Sequence, residues 1–273
     1  MHSPPPKEAT RIAVISDIHA NAVALDAALG EARRKGFDHL VILGDLLTYG
    51  CAPAAVLDLV RAAVEKNGAH VIRGNHDQLY FDHTRNMPQY YAGLPEWIRE
   101  SVDWTRTAIG DVDLERRYDW KNDIILDGVF FAHANPFEYG DWTYLNSTGE
   151  FTRARAALAQ RRQTIGVFGH THRAKVIEFS NGADECVVRG ASAEKSTVFN
   201  LVIGRNEILA DPGSVGQPRS AAKVSTMMFL TITTAGLDIE IARVDYDVEA
   251  HCRTVQASSM SERTKRKLME FFP

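Results

Sequence analysis

Arg11-Ile12-Ala13-Val14-Ile15-Ser16-Asp17-Ile18-His19-Ala20-Asn21 is the stretch whose reading decides the fold. Arg11–Ser16 is a short apolar run of buried-strand character. Ala22–Lys35 behind it carries Val23, Leu25, Ala27, Ala28 and Ala32 at helical spacing and ends at Gly36. Asp17, His19 and Asn21 stand between strand and helix, where the chain leaves the sheet. The unit recurs: Leu40–Leu43 reads as a second buried strand, Pro53–Lys66 as a helix opened by proline and followed by Asn67-Gly68, and His70–Ile72 as a third strand. Such alternation implies a parallel sheet with helices on its faces.

From Gln78 to Lys121 the rhythm breaks, and residues 78–121 are expected to form a helical insertion near the active site, with a helix over Pro95–Ile109 and Pro88 and Pro95 as breakers. Its Tyr80, Phe81, Tyr90, Tyr91, Trp97 and Trp104 either pack on the body or cap the site with flat faces. Strands are then expected at Ile124–Leu126 and Val129–Ala132, joined as a hairpin by Asp127-Gly128, followed by a helix near Thr152–Arg162 and a strand at Thr164–Phe168. Beyond lie Ala174–Phe179, Glu185–Arg189, Thr197–Ile203, Thr226–Thr233 and Leu237–Val244, all strand-like. Two packed sheets with helices outside account for this order. Residues 1–10 read as a disordered tail and 11–273 as one domain. Ser261–Phe272 reads as a terminal helix docked on the body, with a partner contact as the second option; it sets Arg263, Lys265, Arg266 and Lys267 beside Leu268, Met269, Phe271 and Phe272.

The 273 residues are 45% hydrophobic and 24% charged with a formal net charge of −4, which permits a sizeable core and offers no polybasic footprint for a nucleic-acid polymer. No apolar run approaches the roughly 18 to 20 residues of a membrane span, and the start lacks a signal-peptide core. Cys51, Cys186 and Cys252 share no metal or redox spacing, so a cytoplasmic protein with no membrane partner is expected. The oligomeric state is left open, with a homodimer among the options.

Five apolar strands each run into residues that bind metals. Ile12–Ile15 leads to Asp17 and His19, Val41–Leu43 to Gly44-Asp45, Val71-Ile72 to Gly74-Asn75-His76-Asp77, Val129–Phe131 to His133, and Val167-Phe168 to Gly169-His170-Thr171-His172. Ligand sites of open α/β sheets form beyond the carboxyl ends of the strands. The glycines before Asp45, Asn75 and His170 suit tight turns. Asp17 and His19, like His170 and His172, are two apart, which puts each pair on one face of an extended chain. Five of the ten histidines fall in these segments; His2, His39, His70, His83 and His251 lack a partner pattern and are read as structural. Imidazole, carboxylate and amide oxygen without thiolate suit manganese, iron, zinc, nickel or cobalt. Seven candidates (Asp17, His19, Asp45, Asn75, His133, His170 and His172) are too many for one tetrahedral ion and suit two divalent or trivalent ions bridged by Asp45. Such a centre stays positive, attracts phosphate, and shares a water that ionises near neutral pH and can attack phosphorus.

These blocks (D-x-H, G-D, G-N-H-[DE], H and G-H-x-H, in that order from Asp17 to His172) resemble the calcineurin-like metallophosphoesterase superfamily. Ser16–Asn21, Gly169–Arg173 and Asp211–Gly216 resemble its small bacterial and archaeal phosphodiesterase branch, where the last motif usually reads Asn-Pro-Gly-Ser, so Asp211 departs from it. The resemblance implies a four-layer α/β sandwich of two mixed sheets flanked by helices. It also implies one metal on Asp17, His19, Asp45 and His172, a second on Asp45, Asn75, His133 and His170, and His76 as the acid that protonates the leaving oxygen. Asn21, Tyr49 and Arg73 are placed to touch substrate, although Asn21 equally suits a helix cap and Arg73 a carboxylate partner. Gly44-Asp45-Leu46-Leu47-Thr48-Tyr49-Gly50 lacks the second Asp and the Arg of the protein-phosphatase motif G-D-x-x-D-R-G. The expected activity is hydrolysis of a small-molecule phosphate ester, first a phosphodiester or nucleotide. Dinucleoside polyphosphate hydrolysis or phosphomonoesterase and protein phosphatase activity are the alternatives, and a non-catalytic scaffold comes last.

Overall fold

The structure is a computed structural model that describes residues 9–87, 89–180, 185–190, 196–202 and 206–273. Strand and helix alternate at first, as β1 (Ala9–Ile15), α1 (Ala22–Lys35), β2 (His39–Ile42), α2 (Pro53–Asn67) and β3 (His70–Val71). Then come α3 (Asn75–Thr84), α4 (Gln89–Ala92), α5 (Glu96–Ile109), β4 (Asp123–Leu126), β5 (Val129–Ala132), α6 (Thr148–Gln160) and β6 (Ile165–Phe168). The chain continues through β7 (Lys175–Ser180), β8 (Cys186–Gly190), β9 (Thr197–Leu201), β10 (Asn206–Asp211), β11 (Thr226–Thr233) and β12 (Leu237–Arg243) to α7 (Val248–Ala257) and α8 (Glu262–Met269).

Two mixed sheets result, ordered β3-β2-β1-β11-β12-β9 and β4-β5-β6-β10-β7-β8. In the first, β1, β2 and β3 run parallel; in the second, β5, β6 and β10 do. Period-two alternation assigns the faces. Ile12 and Val14 of β1, Val129 and Phe131 of β5, and Ile208 and Ala210 of β10 meet between the sheets. Ala13 and Ile15 face α1 and α2, whereas Phe130 and Leu209 face Leu158 and Ala154 of α6. Helices, sheet, sheet and helix are the four layers expected, and strands buried on both faces explain the continuous apolar runs.

Three elements were not anticipated. β10 has only Ile208-Leu209-Ala210 as its apolar core, too short to announce itself, yet it lies between β6 and β7 and is buried on both faces. α7 is capped by Asp247, whose carboxylate accepts from the Ala250 amide. α3 begins at Asn75, so Asn75 and His76 occupy a first helical turn and not a loop. The expected tail is corrected at its end, since Ala9 and Thr10 pair with Thr233 and Ile232 in β1; residues 1–8, Pro88 and Ile203 lie outside the described residues.

Of the aromatics in 78–121, Tyr80 and Phe81 are core residues, and Trp97 and Trp104 pack with Tyr49, Val255 and Leu268. α8 docks on α5: Thr264 and Ser261 hydrogen-bond Glu100, and Arg263 pairs with Glu96 at 2.8 Å. Lys265 and Lys267 pair with Glu262 and Glu270 on the helix itself.

His251 of α7 is 2% exposed and packs on Phe272, ring centroids 4.8 Å apart. Burial pushes its pKa down from 6.5 to about 4. The unfolded chain therefore takes up this proton from about pH 6.5 downward and the folded chain only near 4, so stability falls as pH drops through that window. Full loss amounts to about 3 kcal/mol. His251→Gln should remove that share of the acid destabilisation, measured as the difference between wild-type and variant unfolding free energies at neutral pH and near pH 4; parallel losses would show that His251 does not enter the fold neutral.

Candidate metal centre

The parallel strands of both sheets end on one side of the sandwich, and their following loops meet there. Asp17 and His19 follow β1, Asp45 follows β2, Asn75 and His76 open α3 after β3, His133 follows β5, and His170 and His172 follow β6. The loops knit to one another: the amides of His19 and Ala20 donate to Asp45 O and Leu46 O at 2.8 Å, and Gly216 N donates to Asp17 O at 3.0 Å. All seven candidate ligands and His76 are buried.

The extended pairing expected for Asp17 and His19, and for His170 and His172, is corrected. Asp17 (φ 54°), His19 (47°), Asp45 (51°), His170 (67°) and His172 (57°) are all left-handed. Backbone of this kind costs an ordinary residue about 1 to 2 kcal/mol and is held here by the inter-loop bonds. Gly44, at φ 91°, supplies the expected turn. Gly74 and Gly169 serve another purpose, close approach. A Cβ on Gly74 would lie 2.2 Å from Asp45 Oδ1, and one on Gly169 would lie 2.0 Å from Ser16 Oγ and 2.8 Å from Asp17 Oδ2.

Backbone carbonyls set the histidine tautomers. A carbonyl can only accept, so Nδ1–H of His19 donates to Leu47 O (3.1 Å), that of His133 to Leu43 O (2.6 Å) and that of His172 to Gln217 O (2.6 Å). His170 is reversed, with Nε2–H donating to Trp142 O at 3.0 Å. The other ring nitrogens then converge as bare lone pairs. His19 Nε2 faces His172 Nε2 at 3.2 Å, and His133 Nε2 faces His170 Nδ1 at 3.3 Å and Asn75 Oδ1 at 3.1 Å. The Asn75 amide nitrogen donates to Tyr90 Oη at 3.0 Å, which turns its oxygen inward.

In the tautomers that these carbonyls select, no proton lies between the facing nitrogens. Burial lowers the pKa of His19, His170 and His172, helped by His172 at His19 and by His133 at His170. Asp17 Oδ1 and Asp45 Oδ2 are buried without a hydrogen-bond partner, 3.3 Å from His172 Nε2 and 3.5 Å from His133 Nε2 respectively. Burial and the Asp17 charge raise Asp45, whereas Asp17, though pushed up by burial, is brought well below the carboxylate range by His172. Facing lone pairs and bare buried carboxylate oxygens are costly unless a cation lies among them. The donors fall into two groups that share Asp45, one of Asp17, His19, Asp45 and His172 and one of Asp45, His133 and His170, with ligand atoms within 4.8 Å of each other. These residues fit two metal ions.

The remaining candidates separate. Asn21 takes the capping role that was its alternative reading: it is wholly buried, accepts from Ala24 N, and donates to Gly216 O and Tyr246 Oη. Arg73 takes no carboxylate partner among the described residues; it bonds Gln78 and lies between the Phe81 and Tyr139 rings. Tyr49 Oη is 3.1 Å from His76 Nε2, and its ring stacks on Trp97. Some parts of the site carried no assignment from sequence. Asp77 accepts from the amides of Asp45, Leu46 and Gly74 and so joins two ligand loops, while burial and the Asp45 charge push it up to about 7. Ser16 Oγ donates to Asp17, Tyr144 stacks on His170 with centroids 4.0 Å apart, and Arg219 lies beside His172. Asp77 and Ser16 adjoin the motifs and could have been suspected; Arg219, 47 positions beyond His172, had no local signal.

Comparison with known proteins agrees with this geometry. Residues 10–235 match the calcineurin-like phosphoesterase superfamily domain. MJ0912 of Methanocaldococcus jannaschii, an uncharacterized protein, is 30% identical over 251 residues, 87% of this chain and 88% of that protein. Among solved structures, a metallophosphoesterase from Sphaerobacter thermophilus superposes with a TM-score of 0.74 at 22% identity, over 96% of this chain and 99% of that one. The hypothetical protein PH1004 from Pyrococcus horikoshii OT3 superposes at 0.70 and 18%, over 95% and 97%. The domain match and the identity shared across most of the chain are consistent with one another, and on both counts this protein belongs to the calcineurin-like phosphoesterase superfamily, whose members are metal-dependent phosphoesterases.

Proposed function

We propose that this protein is a binuclear-metal hydrolase of small-molecule phosphate esters, with a phosphodiester or nucleotide as its first substrate class. The supporting observation is the convergence of four proton-free imidazole nitrogens on the bare oxygens of Asp17 and Asp45. Asp17, His19, Asp45 and His172 would hold one ion and Asp45, Asn75, His133 and His170 the other, manganese, iron, zinc, nickel or cobalt by donor type. When bound, such ions supply Lewis acidity toward phosphoryl oxygen and a nucleophilic water near neutral pH.

The protein's own residues do the rest. His76 is fixed by its amide, which donates to Asp45 Oδ1 at 2.8 Å, and by Tyr49 at Nε2. Burial first, and Arg219 second, hold the His76 ring neutral in the free protein. An anionic phosphate beside it works in the opposite direction and favours the protonated ring, which can then pass its proton to the leaving oxygen. Tyr90, Tyr139 and Tyr144, 37 to 42% exposed, offer flat surface next to the ligands, which favours a substrate with a planar group and keeps dinucleoside polyphosphates as the second reading. No helix among the described residues is long and apolar enough to cross a membrane, and we place the protein in the cytoplasm on the scattered free cysteines.

Purified protein should hold about two metal ions by elemental analysis, and Asp45→Asn, which weakens both groups at once, should lose most of them. Metal-loaded wild type should hydrolyse an aryl phosphodiester, and a panel of monoesters, diesters, cyclic nucleotides, dinucleoside polyphosphates and phosphopeptides ranks the substrate classes. No turnover across that panel would make the scaffold reading the better one. His76→Ala should cost about 10²- to 10⁴-fold on an alkyl leaving group and far less on nitrophenolate, which needs no proton; equal losses on both would remove His76 from the acid role.

A further inference from the structure

Arg219 is a cation that the seven ligands and His76 leave unused. The segment that carries it is fastened to His172 from two sides: Gln217 O accepts the His172 ring proton at 2.6 Å, and Arg219 N donates to His172 O at 3.2 Å. Its side chain is held in turn, since Nη2 donates to Gln217 Oε1 at 2.9 Å and the guanidinium lies 5.6 Å from the Phe271 ring centroid. Among the described residues no carboxylate pairs with it, and its Nε is buried without a partner. Arg11, Arg73 and Arg117 also keep a bare Nε, but of the four only Arg219 sits on a segment bonded to His172, where the free donor can meet an acceptor brought to the centre.

The segment faces the site: Gln217 O and Arg219 N both bond His172, and Gln217 lines a narrow cleft with His19 and Tyr49. The end of the chain forms the wall behind Arg219. Phe272 and His251 line a narrow cleft with His19, Tyr49 and Gln217, and Lys223 Nζ holds Phe272 O at 2.7 Å.

We propose that Arg219, braced by Phe271, is a substrate-binding residue that donates to a non-bridging oxygen of the phosphate on the His19–His172 side of the centre. The assignment rests on the phosphoesterase reading above. A planar fork matches a phosphate edge better than an ammonium does. It also gives the C-terminal segment a role: α7, α8 and the two phenylalanines after them position the residue that recognises the anion.

The test is binding of inorganic phosphate to metal-loaded protein by calorimetry, run beside steady-state kinetics, metal analysis and thermal unfolding. Arg219→Gln should weaken phosphate binding about ten- to hundredfold, the size of one charge-assisted hydrogen bond, and raise KM more than it lowers kcat, with metal content and unfolding midpoint kept. Arg219→Lys should recover part of the affinity, and Phe271→Ala should shift it in the same direction as Arg219→Gln but less. If wild type turns over phosphate esters and Arg219→Gln binds phosphate within about twofold of it, the assignment alone is overturned. Loss of metal in both Arg219 variants would overturn it in favour of a brace for His172. A metal-loaded wild type that neither hydrolyses the panel nor binds phosphate would overturn the phosphoesterase reading, and this assignment with it.

Discussion

Each of the four clustered histidines spends its ring proton on a main-chain carbonyl, and much of the structure serves that commitment. Leu43 and Leu47 of the β2–α2 loop, Trp142 of the β5–α6 loop and Gln217 of the β10–β11 loop supply the oxygens. Once those bonds are made, the remaining nitrogens can only be acceptors, and they face one another and the Asp17 and Asp45 carboxylates at 3.2 to 3.6 Å. Such a set of acceptors is stable only around positive charge. The cation preference is therefore built into the backbone, and a shift of any one carbonyl would release a ring to turn away.

Holding acceptors together asks for strained backbone. Left-handed conformations at five candidate ligand positions cost about 1 to 2 kcal/mol each. Fully burying one aliphatic side chain contributes about 1.5 to 3 kcal/mol, and the strands that feed those loops bury Ile12, Val14, Val41, Leu43, Val129 and Val167 completely between the sheets. The core can thus hold the loops in conformations they would not choose. Asp77 completes the arrangement from below: one carboxylate ties Gly74 to Asp45 and Leu46, so the second and third ligand loops cannot separate.

The C-terminal third has two roles. β10, β11 and β12 complete both sheets, while α7 and α8 close the side of the site next to Tyr49 and His19. Most aromatics of the 78–121 stretch stabilise that wall or the core; Tyr90 instead orients Asn75. The same helical stretch therefore both braces the fold and shapes the centre.

Local pattern carried much of this into view. Ala22–Lys35 and Thr226–Thr233 can be read to the residue from periodicity, and the five ligand segments from their place after apolar strands, because both signals lie within a few positions of one another. β10 escaped because three apolar residues are too few to show a period, and α3 because its first turn is also a ligand loop. The candidate ligand types and their order were thus determined by the sequence itself. Which ring nitrogen points inward, why Gly74 and Gly169 must lack a Cβ, that Asn21 also bonds Gly216 and Tyr246, and that Arg219 stands beside His172 were decided only by tertiary structure. Each depends on a contact between loops far apart in the chain, and strand pairing within each sheet together with the packing of the two sheets sets those distances.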